Sequence, residues 1–343
     1  MSGNQARRRR SVRYHVMGIR VVMAALAVVL GVAGCGATDS DSGARVRVVA
    51  DVTPLGDLVR HVAGDRAQVS VLVPLGADGH TYEPRPGDLR TVAKADLFIT
   101  NGRDLNKRLV ELADENLPEE APIVRLAEDS VPEKDLVYEQ MHSHGNGPKH
   151  GHGVNAHMWT NVPYAIAYVQ RIEKALAQVD PDGKATYATN AAALRTQLDA
   201  LDAATRTTIA SIPKPNRKLV VYHDSWSYFG RTYGIPVIGA IQPANFSEPS
   251  AAEVKAMVTQ IRSEKVPAFF GSEVFPSDVL EAIAAESGAD YNADLSDERL
   301  PGKPGDPEHS YVGMMVQNAR IMAKALGGDA APLDTVPLTP GAS

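Results

Sequence analysis

The chain has one cysteine, Cys35, among 343 residues. No internal disulfide and no thiolate cage can form, so any soft-metal chemistry falls to its ten histidines and its carboxylates. It lacks an apolar run long enough to cross a membrane as a helix: Val21–Ala33 (VVMAALAVVLGVA) has 13 residues, against roughly 20 needed. Acids are absent before Cys35, where residues 1–35 hold six arginines and no Asp or Glu. Without that segment 29 basic residues face 41 acidic ones, a balance of −12 against −6 for the whole chain. A nucleic-acid partner, which needs a basic surface, is therefore excluded. The remaining composition, 44% hydrophobic and 22% charged, excludes wholesale disorder and a polytopic membrane protein.

An arginine-rich start followed by a short apolar run is the pattern of a secretory signal peptide. The run ends in Val32-Ala33-Gly34-Cys35, which resembles a bacterial lipobox. Residues 1–34 are accordingly expected to be a lipoprotein signal peptide and Cys35 the lipidated residue. Residues 35–44, small and polar, would form a flexible tether. The implied location is extracytoplasmic, anchored by lipid to the outer face of the bacterial cell membrane.

Beyond the tether, short β-rich runs alternate with helical patterns. In the first half they are Val46–Ala50, Val69–Val73, Leu97–Thr100 and Ile123–Leu126; in the second, Leu219–Tyr222, Val237–Ala240, Ala268–Phe270 and a weaker run near Tyr291. This spacing predicts an α/β fold of two lobes, with mainly parallel sheets flanked by helices. Between them, residues 183–212 carry no proline and no interior glycine, and Leu194, Leu198, Leu201 and Ile209 keep helical spacing. One long rigid backbone helix is expected there, with a capping carboxylate from Asp180 or Asp182 and a stop at Pro213. The expected layout is an N-terminal lobe over 45–182, the linking helix over 183–212, a C-terminal lobe over 213–326 and a disordered tail over 327–343.

Five histidines fall within sixteen residues: His142, His144, His150, His152 and His157. Interspersed glycines and Pro148 exclude a continuous helix or strand over 142–152, so this is a loop rich in imidazoles, a composition that binds metal. His157 stands apart in Asn155-Ala156-His157-Met158-Trp159, just before a helical pattern that starts at Val162. His80 lies in the loop after the second strand, His223 closes Leu219–Tyr222, and Asp294 follows Tyr291. Strand ends of this kind face the ligand crevice of open α/β sheets.

The segments VPLGADGHTYEP, AHMW, VVYHDSWSYFGRTYGIPVIG, FSEPSAAEVKAMVTQI and DYNADLS followed by SYVGMMVQNARIMAKAL resemble, in order, the signatures of the zinc and manganese solute-binding lipoproteins of ABC importers. The resemblance spans roughly residues 46–326. It implies two α/β lobes on a rigid helix, an ABC permease as partner, a monomer, and a metal held by His80, His157, His223 and Asp294. Members with a His-rich loop before the second ligand are typically zinc proteins, and manganese members often carry Glu where this chain has His223. The family motif Asp-Pro-His-x-Trp reads Asn-Ala-His-Met-Trp here, and Gly79 stands where proline is common.

Three imidazoles and one carboxylate suit four-coordinate Zn²⁺, whereas Mn²⁺ prefers more oxygen donors. The expected function is a zinc receptor, with His142, His144, His150 and His152 as an auxiliary capture loop. The alternatives are a manganese receptor of the same family, a zinc-buffering surface adhesin, and a metal-dependent hydrolase with Glu273 as its base. Glu273 otherwise supports a ligand from behind. Asp224 either accepts the second N–H of a ligating histidine or caps the following helix. The segment 296–310 is expected to be mobile and to order on loading. Imidazoles titrate near 6.5, so affinity is expected to fall below about pH 6.

Overall fold

The computed structural model describes residues 45–138, 153–242, 248–274 and 278–339, with the backbone alone for residues 292–294. The described residues fall within one unit by contact. Its elements, in chain order, are β1 (Val46–Ala50), α1 (Thr53–Ala63), β2 (Ala67–Val71), α2 (Pro86–Val92), β3 (Leu97–Thr100), α3 (Lys107–Asn116), β4 (Ile123–Arg125), α4 (Leu126–Ser130) and α5 (Val162–Val179). There follow α6 (Lys184–Ser211), β5 (Leu219–Val221), α7 (Ser227–Tyr233), β6 (Val237–Ala240), α8 (Ala251–Glu264), β7 (Ala268–Ser272), α9 (Val279–Ser287), β8 (Asp290–Leu295) and α10 (Tyr311–Ala325).

Two four-stranded sheets result, ordered β2-β1-β3-β4 and β6-β5-β7-β8, and every pairing is parallel. The central strands are buried on both sides, as in Leu97-Phe98-Ile99-Thr100 and Ala268-Phe269-Phe270-Gly271-Ser272. That is why they read as unbroken apolar runs instead of alternating ones. The strand expected at Val69–Val73 starts two residues earlier. Ala67 and Gln68 pair with Val46 and Arg47, and a backbone ladder is indifferent to the weak hydrophobicity of that dipeptide.

Helix α6 has 28 residues, roughly 42 Å at 1.5 Å per residue. Tyr187, Ala191, Leu194, Leu198, Leu201, Thr205, Thr208 and Ile209 are buried at steps of three and four along it. It packs against α1, α5 and α10. Asp180 does not cap it, contrary to the sequence expectation. Its carboxylate takes the guanidinium of Arg66 at 2.7 and 2.9 Å and the hydroxyl of Tyr187 at 2.5 Å, joining the end of α1 to the first turn of α6. A Cβ on Gly183 would come within 2.3–2.6 Å of atoms of Asp180, Arg66 and Tyr187, so the joint has room only for glycine there.

The core explains why the lobes hold together. In β5, Leu219 and Val221 join one continuous apolar cluster that includes α5, α6, α10 and the first sheet. Val220 and Tyr222 point the other way, into a second cluster with Met257, Ile261, Leu280 and Ile283 from α8 and α9. The second sheet thus shares one face with the rest of the molecule and keeps one for itself. The segment after α10 is not a disordered tail over its described length. Ala331–Thr335 forms a 3-10 turn against α6, Leu333 is buried, and Asp334 pairs with Arg320. The sequence reading missed it because four residues, Ala331 to Asp334, carry only one large apolar side chain.

Candidate metal centre

Among the described residues, one group of metal-capable side chains converges: His80, His157 and His223, whose ligating atoms lie within 4.8 Å of one another. The Nε2 of His157 is 2.9 Å from Nε2 of His80 and 3.1 Å from Nε2 of His223. Nitrogens at two tetrahedral corners, each about 2.0–2.1 Å from a zinc ion, stand roughly 3.3–3.4 Å apart. The observed spacing is within a few tenths of an ångström of that, so the donor set fits such an ion.

Each histidine is held by local structure. His80 sits in a turn closed by Asp78, whose carboxylate accepts the backbone N–H of His80 at 2.8 Å and the hydroxyl of Thr81 at 2.7 Å. The Asn106 side chain at the head of α3 donates to the carbonyls of Gly79 and Tyr82, and the His80 ring bonds the backbone of Leu105. His157 is fully buried in the turn that precedes α5. Its Nδ1 faces Asn155 Oδ1 at 3.0 Å. His223 follows β5, and its Nδ1 faces Gln242 Oε1 at 3.1 Å. All three rings therefore turn Nε2 inward. Asn101, past the end of β3, supports this from behind: Asp51 Oδ2 accepts its backbone N–H, and its side chain donates to the carbonyl of Ala156 at 2.8 Å.

Burial keeps the imidazoles neutral. It is the main cause that brings His80 down to about 4, and, with the neighbouring His80, His223 down to about 3. His157 is pushed well below 6.5 by burial and then by His223 and His80. Three neutral rings with converging lone pairs are an arrangement that a cation stabilises.

A carboxylate lies beside them. Asp297 Oδ2 is 3.7 Å from His157 Nε2, and both side chains are almost fully buried. Ser225 hydrogen-bonds the Asp297 carboxylate, and the Asp297 carbonyl accepts the indole N–H of Trp159 at 2.8 Å. Burial, then repulsion from Glu273, pushes Asp297 up; burial does the same to Glu298, whose carboxylate accepts the backbone N–H of Gly79. A cation at the imidazoles would reverse that penalty at Asp297. Sequence reasoning placed the carboxylate at Asp294. Residue 294 lies within β8, register-paired with Gly271, and its side chain is outside the described residues. Asp297 stands just beyond the carboxyl end of that strand, the position from which side chains reach a crevice.

Glu273 gathers the backbone N–H groups of Asp297, Glu298 and Arg299 on one oxygen, at 2.9–3.1 Å. Its place in the structure is thus to shape the loop that carries Asp297. The segment 296–310 is anchored at its two ends, where Asp297, Glu298, Leu300 and Ser310 are buried, while residues 302–305 between them are exposed. Asp224 accepts the hydroxyl of Ser227 in the first turn of α7. The rings of Trp159 and His157 are 5.1 Å apart between centroids, so this buried indole both packs the core and walls the centre. Sequence reasoning missed Asn155, Gln242, Asn101 and Asn106, because neutral amides carry no metal-ligand signature. Cys35, His142, His144, His150 and His152 lie outside the described residues.

A family model described as ZnuA, zinc-uptake complex component A, periplasmic, matches residues 48–325. The manganese-binding lipoprotein MntA of Halalkalibacterium halodurans is 28% identical over 308 residues, covering 88% of this chain and 96% of the relative. The iron-binding protein YfeA of Yersinia pestis is 28% identical over 289 residues, covering 84% and 88%. The structure of the periplasmic zinc binding protein TroA from Treponema pallidum superposes with a TM-score of 0.73 at 26% identity, covering 82% of this chain and 99% of TroA.

Proposed function

Because the chain belongs to the ZnuA family of metal ABC-transporter substrate-binding proteins, whose members are receptors and not enzymes, we propose that it captures Zn²⁺ outside the cytoplasm and delivers it to an ABC import permease. The observation that carries the choice of metal is the third imidazole. His223 adds a nitrogen donor to those of His80 and His157, and a set of three nitrogens with one carboxylate matches a borderline-soft, four-coordinate ion better than it matches Mn²⁺. We assign that carboxylate to Asp297, on its position beside His157. The manganese reading has its own support, since the MntA relative is named as manganese-binding.

Protein stripped of metal and offered equimolar Zn²⁺ and Mn²⁺ is expected to retain zinc, measured by mass spectrometry of the native protein. Retention of manganese with zinc unable to displace it would overturn the zinc assignment and leave the receptor role standing. The proposal also takes Cys35 as the lipid anchor, the protein as a monomer, and His142, His144, His150 and His152 as a capture loop that raises occupancy when zinc is scarce.

A further inference from the structure

Asn155 is buried at the seam between the lobes, and each end of its side chain meets a group that can play only one part. Its Nδ2 lies 2.7 Å from the carbonyl oxygen of Asp224, which only accepts. Its Oδ1 lies 3.0 Å from the backbone N–H of His157, which only donates. The orientation of the amide is thereby fixed. The same Oδ1 is 3.0 Å from His157 Nδ1, so that nitrogen must carry the proton. Nε2 is left with its lone pair, pointing at the Nε2 atoms of His80 and His223. Asp224 is the residue directly after His223, and it belongs to the other lobe. The backbone carbonyl of Asn155 accepts the Tyr228 hydroxyl from α7 at 2.9 Å, and Thr160 bonds the carbonyl of Ser225 at 2.9 Å, so the seam continues on both sides.

We propose that Asn155 is a positioning residue that couples the two lobes to the ligating state of His157. Docking of the His223–Asp224 turn fixes the Asn155 amide, and the fixed amide holds His157 in the tautomer that binds metal. Closure of the seam and readiness of the ligand are then one event, and opening the seam at Asp224 loosens the metal. An aspartate could hold the His157 proton equally well, but it would set a carboxylate oxygen against the Asp224 carbonyl. Only the amide does both.

Two variants separate the functions: Asn155→Asp keeps the acceptor and loses the donor, and Asn155→Leu loses both at similar volume. The inference rests on the metal-centre reading, so one arm uses the metal-free full chain. In that arm, long-range ¹⁵N–¹H correlation spectra at neutral pH are expected to show His157 as a single Nδ1–H tautomer in the wild type and in Asn155→Asp, and as a mixture in Asn155→Leu. In the second arm, Zn²⁺ affinity is measured against a chromophoric chelator and release into excess EDTA by stopped flow. Asn155→Leu is expected to bind ~10–100-fold more weakly, and Asn155→Asp to release zinc at least ~10-fold faster than wild type, the scale of one lost buried hydrogen bond. A single Nδ1–H tautomer with wild-type affinity in Asn155→Leu, or wild-type release in Asn155→Asp, overturns the proposal. Should Asn155→Leu not fold, the release rate of Asn155→Asp decides. A wild-type protein that takes up neither zinc nor manganese would overturn the receptor reading while leaving the tautomer arm readable.

Discussion

At the scale of single residues, burial keeps the three imidazoles of the centre neutral and disfavours the charged form of Asp297 beside them. The two aspartates make the sharpest test. Asp297→Asn removes the carboxylate beside His157 and is expected to weaken zinc binding ~10–100-fold by competitive titration, whereas Asp294→Asn should leave affinity within about twofold. The reverse result would return the carboxylate to Asp294. The pH dependence follows from the lowered imidazoles, whose folded-state values lie below 6.5, at about 4 for His80 and about 3 for His223. Between those values and 6.5 the unfolded chain binds protons that the folded chain does not, so stability is full above about 6.5 and is lost as pH falls toward 4. Metal-free protein is therefore expected to melt progressively lower from pH 6.5 to 4. Zinc affinity should hold down to about pH 5, because protons compete for the folded site only below that. This is a lower threshold than the sequence suggests, since burial is not legible in a histidine's neighbours. The three histidines themselves were legible, His157 and His223 from a helix start and a strand end and His80 from the loop between β2 and α2. The amides that aim them were not, because what selects Asn155 or Gln242 is a partner distant in sequence.

At the scale of elements, what the chain announces and what it withholds have a common cause. Helix α6 was legible because one face repeats at helical spacing over 28 residues and no breaker interrupts it. The central strand Leu97–Thr100 matches the expected boundaries, because it is buried on both faces and flanked by turn residues, and the edge strand Val237–Ala240 matches them as well. The segment after Leu326 was not legible, since its order comes from a few long-range contacts. Leu333 is 1% exposed, and the Ser211 hydroxyl takes the backbone N–H of Asp329 at 2.7 Å. Truncation after Leu326 is accordingly expected to destabilise the protein by about 2–5 kcal/mol, the range for emptying a leucine site. Chemical denaturation would measure this, and an unchanged midpoint would mean that the segment contributes nothing to the core.

At the scale of the whole molecule, the shared apolar cluster makes the lobes thermodynamically inseparable. Residues of β1, α6, β5 and α10 belong to one cluster, so neither sheet can melt without exposing the other's packing. Calorimetry on the metal-free chain is expected to give one transition, coincident by near-UV and far-UV dichroism. Zinc at about 100 times its dissociation constant should add about 2.7 kcal/mol without splitting that transition. Two resolved transitions would refute the common core. Strain at the metal centre is thereby resisted by the bulk of the fold, which suits a receptor that must hold several imidazoles in register while it is empty.

Tyr138 and Val154 form an antiparallel bridge, and Asn155 N–H bonds the Val137 carbonyl at 2.9 Å. The chain on either side of residues 139–152 is thus clasped directly ahead of His157, and whatever lies between leaves and returns at the same point. Doubling such an insert adds only about 0.6 kcal/mol of closure entropy. The clasp is accordingly expected to hold the chain at His157 in place whatever the length of the histidine-rich tract ahead of it. Deleting residues 142–152 should leave one tight zinc site in calorimetric titration and reduce only the additional, weaker uptake. Loss of the tight site would show that the clasp does not isolate the tract.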